Sequence, residues 1–349
     1  MSILRPRKGR GAPTNSVGRF ESLDVELDLT DDDLPVLETE LFKDATKSVI
    51  SFNDSPDLNF DASFNPYRGC EHGCAYCYAR PTHEYLGLSA GLDFESKLFV
   101  KDDAPELLKK ALSSRRWKPQ YVMMSGVTDC YQPVERHLRL TRKCLEVFAE
   151  FRNPVGIVTK SELVTRDIDI LQTMSKPDIA AVHLSVTSLD ASLANKLEPR
   201  ASSPQRRLRA VEALSKAGIR VGIMIGPVIP GLNDHEISDI LSASADAGAL
   251  SAGYIILRLP HGVKELFSDW LEAHYPNKKD RVLNRIKDTR GGEMYDAKYG
   301  KRIRGVGEYA NQIERMFDLG IKRCGFGQKL PPLSTDHFRV PQDQLSLFD

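Results

Sequence analysis

Through the middle of the chain, short apolar runs alternate with longer segments whose apolar residues recur at helical spacing. Residues 121–125, 155–159, 180–186, 220–225 and 252–257 read as strands; residues 104–113, 138–151, 167–174, 205–217 and 237–247 read as helices. Pro105 falls in the first turn of the first helix, where its missing N–H costs nothing. Upstream, residues 48–52 form another apolar run, bounded by Asn53 and Asp54, and predict a strand leading toward residue 65. Strands alternating with amphipathic helices call for parallel β/α units joined by right-handed crossovers. Counting a first strand that ends near Asn65, there are six such units. They can curl into a barrel or lie open as a doubly wound sheet, but no Gly-x-Gly-x-x-Gly turn follows any strand.

The rhythm has ends. Residues 1–45 begin basic, turn acidic around Asp28 to Asp33 and offer few apolar residues to bury, so they predict a tail that is disordered or laid over the surface. Residues 46–260 hold the β/α units, and residues 261–330 predict a helical, basic extension closing one side of them. Residues 331–349 predict an extended, mobile tail with Pro331 and Pro341 in its connector.

Charge and composition narrow the class only a little. The 48 basic and 48 acidic residues balance, so no global field demands a nucleic-acid partner. Between Pro276 and Arg304, however, ten basic residues face four acids, a density that suits a phosphate backbone or a merely solvated face. No apolar run approaches membrane-spanning length, and the start lacks the apolar core of an export signal. Six cysteines, three in one loop, suit a reducing compartment, so the expected location is cytoplasmic, without a membrane partner.

That loop, residues 65–80, carries the chemistry. Cys70, Cys74 and Cys77 are spaced Cys-x3-Cys-x2-Cys, which gives three corners of a cubane iron–sulfur cluster and leaves one iron without a protein ligand. Gly69 and Gly73 let the backbone turn tightly between them. The rival is a structural zinc with His72 or Cys130 as fourth ligand.

The spacing, with Tyr76 before the third cysteine, resembles the signature of the radical S-adenosylmethionine (radical SAM) superfamily. With the later strand ends it resembles the spore photoproduct lyase-like, or DNA repair photolyase-like, branch over roughly residues 45–330. The resemblance implies an α/β fold, a partial (β/α)6 TIM-type barrel with a helical C-terminal extension. It also implies a [4Fe-4S] cluster, S-adenosyl-L-methionine, and an electron donor such as flavodoxin or ferredoxin. Carried onto this chain, it implies that Tyr76 contacts adenine, Thr128 and Ser185 bond the ribose or methionyl group, and Lys160 pairs with the SAM carboxylate. The Pro230-Gly231 turn brings backbone amides toward the adenine. Asp129, Glu135 and Arg200 are candidate substrate contacts, the acids alternatively pairing with Arg136 and Arg139. Cys130 is either a hydrogen donor to a substrate radical or a small buried thiol. The cysteine of spore photoproduct lyase in this region falls here on Ser125 or Gly126, which departs from thymine-dimer reversal.

Gln344, Leu345, Leu347 and Phe348 resemble the pentapeptide by which bacterial replication and repair proteins bind the DNA polymerase sliding clamp. The alternative is a tail folded back on its own barrel. Together these features predict a radical SAM enzyme that abstracts hydrogen from nucleic acid, with damaged DNA as the expected substrate. The alternatives are radical modification of a peptide or RNA base, and a clamp-tethered DNA-binding module with a structural metal.

Overall fold

The computed structural model describes residues 8–16, 18–20, 37–326 and 330–341. Along the chain, β1 (Glu40–Lys43), β2 (Ile50–Phe52), β3 (Ala62–Phe64) and β4 (Tyr67–Arg68) precede α1 (Leu92–Ser96), β5 (Lys97–Val100) and α2 (Ala104–Leu112). The alternating series then runs β6 (Val122–Met124), α3 (Glu135–Leu138), α4 (Leu140–Phe151), β7 (Val155–Thr159), α5 (Ile168–Ser175) and β8 (Ala180–Ser185). It continues through α6 (Ala191–Leu197), α7 (Pro204–Lys216), β9 (Arg220–Val228), α8 (Ile237–Asp246) and β10 (Ser251–Ile256). Helices α9 (Val263–His274), α10 (Pro276–Asp288) and α11 (Glu308–Cys324) follow.

The large sheet has the order β10-β9-β8-β7-β6-β3-β2. From β3 to β10 every pairing is parallel, which makes the six-unit partial barrel. Alternation along each strand sorts the side chains. Val122, Met124, Val155, Ile157, Val182, Leu184, Val221 and Ile223 are buried in the main core, where the helices cover them. Met123, Val158, His183 and Met224, the intervening residues, are only partly buried and line the lumen. His183 is held down to about 4 by burial and by Arg220. The run at 48–52 is no lead-in to the barrel: β2 pairs antiparallel with β3 as an edge hairpin. The predicted helix 138–151 is broken at Arg139, whose φ of 50° separates α3 from α4.

The open side of the partial barrel is bridged. Ile256 donates its N–H to the Ile303 carbonyl at 2.9 Å, so residues near 303 run beside β10. From the opposite edge, Asp57 accepts from Gly300 N and Arg302 Nε, each at 2.6 Å. The basic segment thus reaches from the last strand to the hairpin of the first.

The amino-terminal segment, expected to be disordered or laid over the surface, and the carboxy-terminal connector, expected to be mobile, are both built in where they are described. Arg10, Gly11 and Ala12 are buried, and β1 joins a second sheet of order β1-β5-β4. At the other end, Ser334 N donates to Asp178 O and Arg339 N to Phe151 O, both at 2.9 Å, and Phe338 packs on Phe151. Asp178 and Phe151 precede β8 and β7, so this connector is strapped beneath the barrel, at the amino ends of its strands. Gln344, Leu345, Leu347 and Phe348 lie outside the described residues. No described helix is long and apolar enough to cross a membrane.

Candidate active site

The cysteine loop springs from β4 and is shaped by its glycines. Gly69 has φ +79°, and a Cβ there would sit 2.8 Å from Leu98 Cδ2 and 3.0 Å from the Phe94 carbonyl. Gly73 has φ +63°, and its Cβ would lie 2.6 Å from the Glu95 carboxylate. No other residue meets both demands. Turn bonds Gly73 N to Cys70 O and Cys77 N to Cys74 O keep the three thiols together. Burial, with Asp129 and the other two sulfurs beside it, pushes the Cys70 thiol well up; burial likewise raises Cys74 and Cys77. Three mutually repelling buried thiols ionise together only beside compensating positive charge, which a metal centre supplies.

Behind the loop lies a fully buried ion pair. Arg80 meets Glu95 at 2.5 Å, both side chains wholly enclosed. The same guanidinium donates to Cys74 O at 3.0 Å and to Ala90 O and Gly91 O, pinning the loop from within. Glu95 also accepts from Gly11 N at 3.0 Å and Ala12 N at 2.8 Å. Gly11 lies so close that a Cβ on it would overlap the Gly73 carbonyl. The amino-terminal arm is therefore one wall of the cysteine loop.

Across from Cys74, at the carboxyl ends of β7, β8 and β9, stands a charged network. The Lys160 ammonium donates to Ser185 Oγ at 2.6 Å and Gly226 O at 2.8 Å, and lies 3.3 Å from Glu198. Glu198 also receives Thr187, Tyr76 and Arg207. Burial alone would raise this carboxyl, but Arg207 and Lys160 hold it down at about 2. Tyr76, from the cysteine loop, thus spends its hydroxyl on Glu198 while its ring lies 5.8 Å from the Lys160 ammonium. Asn233 fixes the β9 end of the network, donating to Thr187 O at 2.6 Å and Pro227 O at 3.1 Å.

The remaining expected residues are placed differently. Asp129 accepts from Thr159, Lys160 N and Tyr131 N and faces His72 Nδ1 at 3.3 Å, so it braces the cysteine loop against β7. Burial opposes its ionisation, yet His72 and these donors hold it low. Thr128 gives its hydroxyl to Tyr67 O at 2.9 Å. Glu135 pairs with Arg166 at 2.6 Å, not with Arg136 or Arg139, and takes Tyr67 Oη in the core. Cys130 belongs to the main core with no exposed surface, and burial raises its thiol well above the usual range. Gly231 donates its N–H to Asp234 at 3.1 Å and faces Arg285 of α10; Pro230 beside it is buried. Arg200 pairs with Glu71 at 2.8 Å and rims a polar depression.

Among the described residues, no group of three or more His, Cys, Asp or Glu side chains is placed to hold a single metal ion. Of the two fourth zinc ligands considered, Cys130 is buried in the main core beside Ser125, and His72 gives Nδ1 to Asp129. A cubane asks for something else, three thiols on three separate irons, and the loop supplies three.

Sequence reasoning missed Arg10, Gly11, Arg80, Glu95, Glu198 and Arg207. One signal was available: Arg207 stands on the stripe Arg207, Ala210, Val211, Leu214 that α7 buries, and a charge on an apolar stripe demands a buried partner.

Residues 64–243 match the model of the Radical SAM superfamily. An uncharacterized protein of Mycobacterium tuberculosis is 32% identical over 295 residues, spanning 83% of this chain and 83% of its own. A radical SAM Nα-GlyT isomerase of Pseudomonas phage M6 is 28% identical over 195 residues, 55% of this chain and 38% of its own. Among solved structures, spore photoproduct lyase complexed with dinucleoside spore photoproduct superposes with TM-score 0.57 at 19% identity, covering 81% of this chain and 78% of that one.

Proposed function

Because the chain belongs to the radical SAM superfamily, we propose that Cys70, Cys74 and Cys77 hold a [4Fe-4S] cluster with S-adenosylmethionine beside it, and that the substrate is nucleic acid, damaged DNA foremost. When bound, the cluster supplies an electron that cleaves S-adenosylmethionine to methionine and a 5′-deoxyadenosyl radical, which takes hydrogen from the substrate. The observation that carries this reading is the Lys160 network, which faces the cysteine loop and includes Tyr76 from the loop itself. Lys160 offers its ammonium to a carboxylate, exchanging a neutral hydroxyl acceptor for an anionic one. Ser185 and Thr187 then turn to the ligand's hydroxyl or amino groups, and Glu198 keeps the local charge balanced. The phosphates of a nucleic acid find complementary charge on the basic segment bridging the barrel. The lyase complexed with a dinucleoside supports the substrate class through fold, and the phage isomerase, a radical SAM enzyme by name, supports the radical chemistry.

Anaerobic reconstitution with iron and sulfide, followed by reductant and S-adenosylmethionine, is expected to give 5′-deoxyadenosine. A colourless protein holding one zinc per chain would discard the enzyme.

Gln344, Leu345, Leu347 and Phe348 are proposed to bring the enzyme to a sliding clamp in a cytoplasmic setting, with flavodoxin or ferredoxin as electron donor. Removing residues 344–349 is expected to abolish clamp pull-down and to leave 5′-deoxyadenosine formation intact; retained pull-down would end the clamp assignment.

A further inference from the structure

Beside the cysteine loop, at the carboxyl ends of β6, β7 and β8, lies a polar depression of ≈ 230 Å³. His72, Arg136, Ser161, Arg200, Ser202 and Arg206 are among its lining. They come from the cysteine loop, α3, the turn after β7 and the entry to α7, so three arginines approach one space from separate elements. Acids occupy part of this charge: Glu71 takes Arg200 at 2.8 Å and Glu162 takes Arg206 at 2.7 Å. Glu162 holds one edge of the Arg206 fork, while Arg200 also donates from Nη1 to Thr39 Oγ1 at 3.2 Å. Arg136 is exposed, and its guanidinium has no partner among the described residues. A second feature adds to the charge. Ser203 leaves the first turn of the 13-residue α7 without a side-chain cap, so the positive end of that helix opens beside Ser202 and Arg206.

We propose that this depression binds a phosphate group of the substrate. The inference rests on the nucleic-acid reading above and adds where the backbone is gripped. A carboxylate offers two oxygens in one plane, which a single guanidinium fork satisfies. A tetrahedral phosphate offers oxygens in several directions and suits forks arriving from α3, the β8 loop and α7 together. His72 ties the grip to the chemistry. It lines the depression, sits between Cys70 and Cys74, and is braced by Asp129, so a phosphate held here fixes the substrate's register relative to the cysteine loop.

The test uses the full chain and a short fluorescently labelled single-stranded DNA, with anisotropy read over a salt series. Arg136→Ala combined with Arg206→Ala removes two exposed side chains, and Arg116→Ala, on the loop before β6, is the control for general charge. The double variant is expected to bind more weakly and to lower the slope of log affinity against log salt by about 0.7, as one lost phosphate contact on a single strand requires. The control is expected to lower it by nothing. A small phosphorylated molecule shares the same chemistry. Should DNA binding be unchanged while thermal protection by inorganic phosphate disappears in the double variant alone, the phosphate site stands and its source is the small molecule. Equal DNA binding and equal phosphate protection in all three chains would overturn the site. 5′-Deoxyadenosine formation without substrate is measured alongside; it reports on the radical chemistry alone, so either reading can fail without the other.

Discussion

Glu95→Ala is expected to destabilise the chain by about 3–5 kcal/mol, the usual cost of stranding a buried charge. Arg80 is enclosed, and Glu95 is its only acid among the described residues, so removing the carboxylate leaves the guanidinium with carbonyl oxygens for hydrogen-bond acceptors. Three donors lose their acceptor at once, Arg80 Nη2, Gly11 N and Ala12 N, and unmet buried donors add to the cost. The denaturant midpoint reads the loss directly. Glu95→Gln, which keeps one acceptor oxygen, is expected to fall between. The same substitutions loosen the wall behind Gly73, so reconstituted protein is expected to bleach faster in air than the parent. A Glu95→Ala chain as stable as the parent would show that the arm and the ion pair do not hold the loop.

Single Cys70→Ala, Cys74→Ala and Cys77→Ala chains are each expected to lose the brown chromophore and all detectable 5′-deoxyadenosine. Iron content should drop from about four per chain to a small residue. Cys144→Ala is the comparison, because Cys144 is buried in the main core on α4; it is expected to cost stability through a cavity and to keep its iron. The contrast separates ligand from packing. Iron retained in all three loop variants would return the loop to a purely structural role.

The two outcomes bear on what the sequence made legible. The six parallel strands were readable because each is apolar where helices cover it and is followed by a helix of matching period. The small sheet was not. β4 has two residues and β5 was hidden in a run that mixes Lys97 with Phe99, while their pairing with β1 joins residues far apart in sequence. Tertiary pairing, not local pattern, makes those strands. The gathering of Cys70, Cys74 and Cys77 in one loop was legible from spacing alone, and the position of Lys160 and Ser185 at strand ends from the strand pattern. Glu198, Arg80 and Glu95 were not, since a buried charge announces itself only when its partner is known. The connector from 331 to 341 reads as mobile by its prolines, yet Phe338 finds Phe151 and two amides find carbonyls beneath the barrel. These three tertiary contacts outweighed the composition.

The amino-terminal arm changes where this protein can be divided. A fragment cut to residues 64–243, the span of the family match, would keep all three cysteines, Arg80 and Glu95. It would discard Gly11 and Ala12 from the Glu95 carboxylate, β1 from the edge of β5, and β10 from the edge of β9. Each loss opens a polar or apolar surface that the intact chain covers. The region recognisable as a family domain is therefore not an excisable module, and the unit that folds around the cysteine loop starts before residue 12.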